Sequence, residues 1–133
     1  MLAQVAACRS WIIRLKRAGV ILMIPVIALD EVRRELIRIE AAAQLARLAT
    51  LVSSVRSIPV TPEAWLKAAE FWAFVRKAGR PTAAPQSLDE DAILAGVAAT
   101  IGSPGNPVVI ATTNVGHLSR FPGIDARPWE QIS

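Results

Sequence analysis

Oxygen-bearing side chains gather beside three short stretches of this sequence. Asp30 and Glu31 follow the apolar run Val20–Ile24, Asp89-Glu90-Asp91 opens a helical stretch, and Thr113-Asn114 follows the run Val108–Thr112. In an open α/β sheet, ligands bind beyond the carboxyl ends of the strands, so residues just after such runs are the first to consider. Carboxylates collected at one sheet edge repel each other unless a cation sits among them. Mg²⁺ suits that arrangement, because it takes oxygen ligands and keeps several of its waters. One or two such ions can activate water for phosphodiester cleavage. With a single Cys and a single His, the chain offers no thiolate–imidazole cluster for a transition metal.

Each of these residues also has a plainer use. Glu90 completes a capping box, Ser87-x-x-Glu90, and Asp89 suits the positive end of a helix. At about 100° per residue, Asp89 points far from the stripe of Leu94 and Ala98, whereas Glu90 and Asp91 flank it. Asp91 is therefore the better candidate to face the sheet edge, with a first-turn charge as its competing role. On the preceding acidic helix Glu35 lies nearer the apolar stripe than Glu31, and Asp30 lies opposite; spacing does not choose among them. Asn114 suits a turn or a cap. His117 is chemically able to act as a general base, but a lone His on a short surface helix reads as a bystander. Trp65 and Trp72 read as core at helical spacing rather than as a platform for stacked bases. Cys8 reads as a small buried side chain.

The elements that must position these groups follow from periodicity. A helix is expected over residues 3–18, with Val5, Cys8, Trp11, Ile12 and Leu15 inward and Gly19 as its stop. Val20–Ile24 predicts a buried strand. Pro25 opens a helix to about Ile39, striped by Leu29, Val32, Leu36 and Ile39. Helix continues over Ala41–Val55 with Leu45, Leu48 and Leu51 inward, and Ser57–Val60 can be a strand. Thr61-Pro62-Glu63 supplies a cap, a first-position proline and a carboxylate, starting a helix to about Lys77. Its inward face is expected to carry Trp65, Ala69, Trp72 and Val75. A loop over Gly79–Gln86 then leads to the helix of Leu94, Val97, Ala98 and Ile101. Val108–Thr112 is the clearest strand, and a short helix, an edge strand near Ala126 and a terminal turn complete the chain. Helices alternating with short apolar strands imply an α/β layer architecture with a mainly parallel sheet in one domain.

Composition bounds the function classes. The 133 residues suit one core. Hydrophobic residues make up 53% and mean hydropathy is +0.38, which fits strands buried on both faces. The longest apolar run, Gly19–Leu29, is broken by Pro25 and falls short of the roughly 20 residues of a membrane span. It follows Arg14, Lys16 and Arg17 as a signal peptide would, but Asp30, Glu31 and Arg33 come next instead of a cleavage site. A cytoplasmic protein with no membrane partner is the expectation; a membrane-associated helical protein is the remote competitor. Net charge of +4 and a pI near 10.2 favour an anionic partner.

Three segments together resemble the PIN-domain family, the fold of toxin ribonucleases of the VapC type and of many RNA-processing enzymes. Ile24-Pro25-Val26-Ile27-Ala28-Leu29-Asp30-Glu31-Val32 is similar to the family's strand end and acidic helix, which matches the family's acid to Glu31. Leu88-Asp89-Glu90-Asp91-Ala92-Ile93-Leu94-Ala95 is similar to its Asp-x-x-Ile-Ala pattern, with Asp91 as metal ligand. Val109-Ile110-Ala111-Thr112-Thr113-Asn114-Val115-Gly116-His117 is similar to its strand ending in Thr-x-Asp or Thr-x-Asn. Order and spacing agree over almost the whole chain. The family's first motif, a strand bearing an aspartate, has no counterpart before Met1. The resemblance thus implies a PIN-like three-layer fold lacking its usual central first strand, with the true start upstream or the chain a decayed remnant.

It also implies a function: Mg²⁺- or Mn²⁺-dependent hydrolysis of RNA phosphodiester bonds, weak or absent in this form. Glu31 and Asp91 would bind metal, Asn114 would orient a ligand or metal-bound water, and Thr112 would support the site. The competing expectation is a non-catalytic module that binds nucleic acid or an antitoxin. Arg33, Arg34, Arg76, Lys77 and Arg80 would then contact phosphates. A homodimer and a cognate antitoxin are further expectations of the resemblance.

Overall fold

The computed structural model describes residues 2–79 and 85–133. Its elements run α1 (Leu2–Arg17), β1 (Met23–Pro25), α2 (Val26–Arg38), α3 (Ala42–Ser54), β2 (Arg56–Ile58), α4 (Pro62–Lys77), α5 (Pro85–Ile101), β3 (Val109–Ala111), α6 (Val115–Leu118) and β4 (Asp125–Arg127), with a final 3₁₀ turn at Trp129–Gln131. The chain is a mixed α/β structure in which helix predominates. β1 pairs with β2 and β3 with β4, both in parallel, as two separate two-stranded sheets. Parallel pairing requires a crossover: α2 and α3 supply the first, and the segment containing α6 supplies the second.

The core centres on α4 and α5. Phe71 and Val75 of α4 meet Leu88, Ala92 and Ala95 of α5, closed over by Leu118, Phe121 and Ala126. A smaller cluster joins Ile58, Ala64 and Val97. The helices come close because Gly96 has no side chain: a Cβ there would stand 2.5 Å from the Ala64 carbonyl oxygen and 3.0 Å from the Ala68 amide. The start of α4 follows its sequence signal, since the Thr61 side chain accepts a hydrogen bond from the Ala64 N–H at 3.1 Å, with Pro62 behind it. At the other end of the chain, Trp11 of α1 donates from Nε1 to the Ile132 carbonyl at 2.7 Å and tilts against Trp129. That contact ties the C-terminal turn to α1.

Several expectations change. The buried face of α4 is Ala64, Ala68, Phe71 and Val75, so Trp65 and Trp72 lie outside the core. The close approach at Gly96 leaves room only for alanines there. On α5 Ile101 is exposed, while Leu88, Ala92 and Ala95 face inward. The apolar stripe of α2 is mostly open: Leu29 is buried, but Val32 and Ile39 are exposed. On α3 Leu51 is exposed and no residue is fully buried. Strand β1 is only three residues long, and Val20 and Ile21 ahead of it are exposed. α5 already begins at Pro85, two residues before the expected cap at Ser87. Among the described residues, no helix is long and apolar enough to cross a membrane.

Candidate functional site

Of the acidic residues singled out by sequence, Glu31, Glu90 and Asp91 meet at one pocket beyond the carboxyl ends of β1 and β3, whereas Asp30, Glu35 and Asp89 are exposed and do not line it. A cavity of about 390 Å³ is lined by Ile27, Ala28 and Glu31 from α2, by Glu90, Asp91 and Leu94 from α5, and by Ile110, Ala111 and Thr112 at the end of β3. Asn114, His117 and Leu118 close it. Each group is delivered by its element. Glu31 stands in the second turn of α2, one turn from the strand end, because Pro25 ends β1 and caps α2 with extended backbone. Glu90 and Asp91 stand early in α5, whose opposite side is locked on α4. Asp89, between Leu88 and these two, is exposed, in agreement with its position off the stripe.

The loop after β3 is fixed by short bonds. The Thr112 N–H donates to the Arg127 carbonyl at 3.0 Å, extending the β3–β4 pairing by one residue. The Thr112 hydroxyl accepts from the Asn114 N–H at 2.9 Å, which folds the chain back into α6. Asn114 precedes α6, but its side chain makes no capping bond. The Asn114 carbonyl instead accepts from the N–H groups of His117 and Leu118. This geometry leaves the Asn114 amide group uncommitted to the helix end, at the pocket wall.

Electrostatics divide the pocket in two. On one side Glu31 stands against Glu90. Burial first, then the neighbouring Glu90 carboxylate, push the Glu31 carboxyl up to about 7; Arg34 opposes and the Asp91 charge adds. Glu90 also faces the Arg34 guanidinium, Nη2 to Oε1 3.6 Å. On the other side Asp91 accepts from Arg120 Nη2 at 3.3 Å, and His117 Nδ1 lies 3.7 Å from the same Oδ2. Burial raises the Asp91 carboxyl, opposed first by the Arg120 guanidinium and then by the nearby His117 ring. Arg120 is itself mostly covered and lies over the Phe121 ring, centroid distance 5.3 Å.

Sequence reasoning missed part of this. α5 begins at Pro85, ahead of the expected cap at Ser87, and the Glu90 side chain faces Arg34. His117 is no bystander in position, although its ring is 47% exposed. Arg120 carried no sequence signal beyond its place three residues after His117. Glu35, which spacing left level with Glu31 and Asp30, pairs with Arg38 on the exposed side of α2. Of the basic residues expected to contact phosphate, Arg34 reaches the cluster, through Glu90. Arg33, Arg76 and Lys77 are exposed and are not among the residues lining the pocket, and Arg80 lies outside the described residues.

The donor set fits a hard divalent cation by chemistry. Glu31, Glu90 and Asp91 supply carboxylate oxygens to one pocket. Mg²⁺ needs only one or two protein carboxylates beside its waters. Among the described residues, however, no group of three or more Asp, Glu, His or Cys side chains is arranged to hold a metal directly. Asp91 is turned toward Arg120 and His117. No family model matches the chain, and neither does any curated protein sequence. The resemblance to PIN domains is carried by the three sequence motifs alone.

Proposed function

We propose that this pocket serves divalent-cation-dependent hydrolysis of RNA phosphodiester bonds. One observation supports the reading above all: Glu31, Asp91, Thr112 and Asn114, chosen from three distant segments, line a single pocket at the strand carboxyl ends. Glu31, Glu90 and Asp91 would hold Mg²⁺ or Mn²⁺, which when bound supplies Lewis-acid stabilisation of phosphate and a more acidic water. The carboxylates of Glu31 and Asp91 must both be deprotonated to serve, so the site works best above neutral pH. Asn114 orients the ligand through its free amide group, and Thr112 holds the Asn114 backbone in place. Arg34, at the rim, draws the substrate phosphate toward the carboxylates, and Arg120 fixes the Asp91 carboxylate. An RNA substrate implies a cytoplasmic setting, in which Cys8 stays reduced.

A fluorogenic RNA incubated with the chain and Mn²⁺ tests this directly. Cleavage that needs Mn²⁺, stops with EDTA and disappears in Asp91→Asn is the expected result. Cleavage that survives EDTA, or is equal in Asp91→Asn, would exclude the site.

One feature favours a second reading, a non-catalytic module binding nucleic acid or an antitoxin. The cluster is already partly neutralised by protein groups, Asp91 by Arg120 and Glu90 by Arg34. Salt-sensitive RNA binding without cleavage at any Mn²⁺ concentration would select it.

A further inference from the structure

Away from the pocket, the charges of this chain are segregated. No Asp or Glu occurs between Met1 and Leu29, nor between Ala41 and Pro62, yet these stretches carry Arg9, Arg14, Lys16, Arg17, Arg47 and Arg56. The fold brings the two stretches together. Lys16 Nζ donates to the Ser54 carbonyl at 3.4 Å, which joins the last turn of α1 to the last turn of α3. Arg56 opens β2 two residues further on, across from Met23 at the amino end of β1. At about 100° per residue, Arg9, Lys16 and Arg17 share the outer face of α1, opposite the buried Trp11 and Leu15. Arg47 stands two turns before Ser54 on the same side of α3. All of these cations are exposed. Among the described residues, the ion pairs lie elsewhere on the chain, at Glu35, Glu70, Glu90, Asp91 and Asp125.

The plainest role of cations at such a place is to offset helix dipoles. Two helix carboxyl ends carry about one negative charge between them, and the effect fades within the last turn. Arg14, Lys16, Arg17 and Arg56 exceed that charge, and Arg9 and Arg47 stand beyond the last turns of α1 and α3. The surplus calls for an anionic partner, and its chemistry selects the kind. All but Lys16 are Arg, whose planar fork matches phosphate oxygens. A protein partner expects an apolar interface centre depleted in charge, whereas nucleic-acid interfaces are strongly positive. A helix seated on a membrane lays an aromatic or leucine-rich face into the lipid. Here Trp11 and Leu15 are buried in the fold, and Ile13, Val20 and Ile21 are the exposed large apolar groups beside the patch, none of them aromatic.

We infer that the outer face of α1, with Arg47 and Arg56 beside it, binds the phosphate backbone of a nucleic acid. This surface lies at the amino end of the β1–β2 sheet, opposite the carboxylate pocket, and shares no residue with the set Arg33, Arg34, Arg76, Lys77 and Arg80. Contacts to phosphate make the binding salt-sensitive and indifferent to sequence. Fluorescence anisotropy of the full chain with a labelled single-stranded RNA of about 20 nucleotides, longer than a typical single-strand site, tests it. EDTA is present throughout, so the outcome depends on neither a metal at the pocket nor the cleavage proposed above. Log affinity is expected to fall against log salt with a slope of about −3 or steeper, as four or more phosphate contacts require. Lys16→Glu with Arg17→Glu, and separately Arg47→Glu with Arg56→Glu, should each weaken binding at least about tenfold, with an unchanged circular dichroism spectrum. Arg76→Glu with Lys77→Glu, an equal change of charge on α4, should weaken it less than about threefold. A wild type that does not bind overturns the inference. Equal losses in all three double variants also overturn it, by reducing the effect to net charge. Binding to phosphatidylserine vesicles but not to RNA overturns it in favour of a lipid surface.

Discussion

The α4–α5 pair and the α2–α3 pair are both built of consecutive helices rich in aliphatic residues, yet they are packed to different depths. Between α4 and α5, Gly96 lets the backbones approach, and Phe71, Val75, Leu88, Ala92 and Ala95 are buried around it. Across α2 and α3 only Leu29 is fully buried, although both helices carry regular apolar spacing. The pocket straddles this divide. Glu90 and Asp91 ride on the tightly packed pair, and Glu31 and Arg34 ride on the lightly packed one. Substitutions in the first pair should therefore unfold the domain, whereas those in the second should act on the pocket or on nothing.

The largest effect is expected at Phe121, which is 1% exposed and seated against Phe71 at 5.3 Å. Phe121→Ala should cost about 3–5 kcal/mol in urea unfolding. Gly96→Ala comes next, at about 1–3 kcal/mol, since the methyl would press on backbone atoms of α4 that cannot move aside. A Gly96→Ala protein as stable as wild type would show that the two helices are not in close contact. Thr61→Ala, which removes the cap bond to Ala64, should cost about 1 kcal/mol. By contrast Leu51→Ala on α3 should fall within about 0.5 kcal/mol of wild type. If it costs as much as Phe121→Ala, the contrast between the two pairs is lost.

The pocket predicts a pH dependence with a definite sign. Glu31 holds its proton more tightly folded than unfolded, with its carboxyl near 7 against an ordinary value of 4.5. The native state thus binds more protons, and stability is lost as pH rises between those values. Asp91 shifts in the same direction. Melting temperatures measured without divalent metal should fall from pH 4.5 to pH 7.5 by a few degrees, on the order expected for a small domain. Glu31→Gln should flatten that fall; an equal slope in both proteins would deny that the Glu31 carboxyl is raised.

How much of this was legible beforehand depended on how local the signal was. Thr61-Pro62-Glu63 named the start of α4 because the cap and the proline act within one turn. The strands after Met23 and Val109 were legible as apolar runs. The inward face of α4 was not, since it is decided by Gly96, some thirty residues away. Without that contact the heavier Trp65 and Trp72 make the better-looking core stripe. The same limit applied at the pocket. Helical phase set Asp91 beside the α5 stripe with a first-turn charge as its competing role, and Glu31 was reached through resemblance, since Val32 and Ile39 of the expected α2 stripe are exposed. Glu90 and Arg120 meet their partners only across elements, and no pattern within one element marks them.

The central claim is that the carboxylates of α2 and α5 act as one cation site. Mn²⁺ titration of the purified chain at pH 7.5, followed by electron paramagnetic resonance of the free ion, tests it most directly. The account predicts a bound ion whose affinity falls at least about tenfold, or about 1.4 kcal/mol, in both Glu31→Gln and Asp91→Asn. Binding that is absent from the wild type, or equally strong in all three proteins, would contradict it.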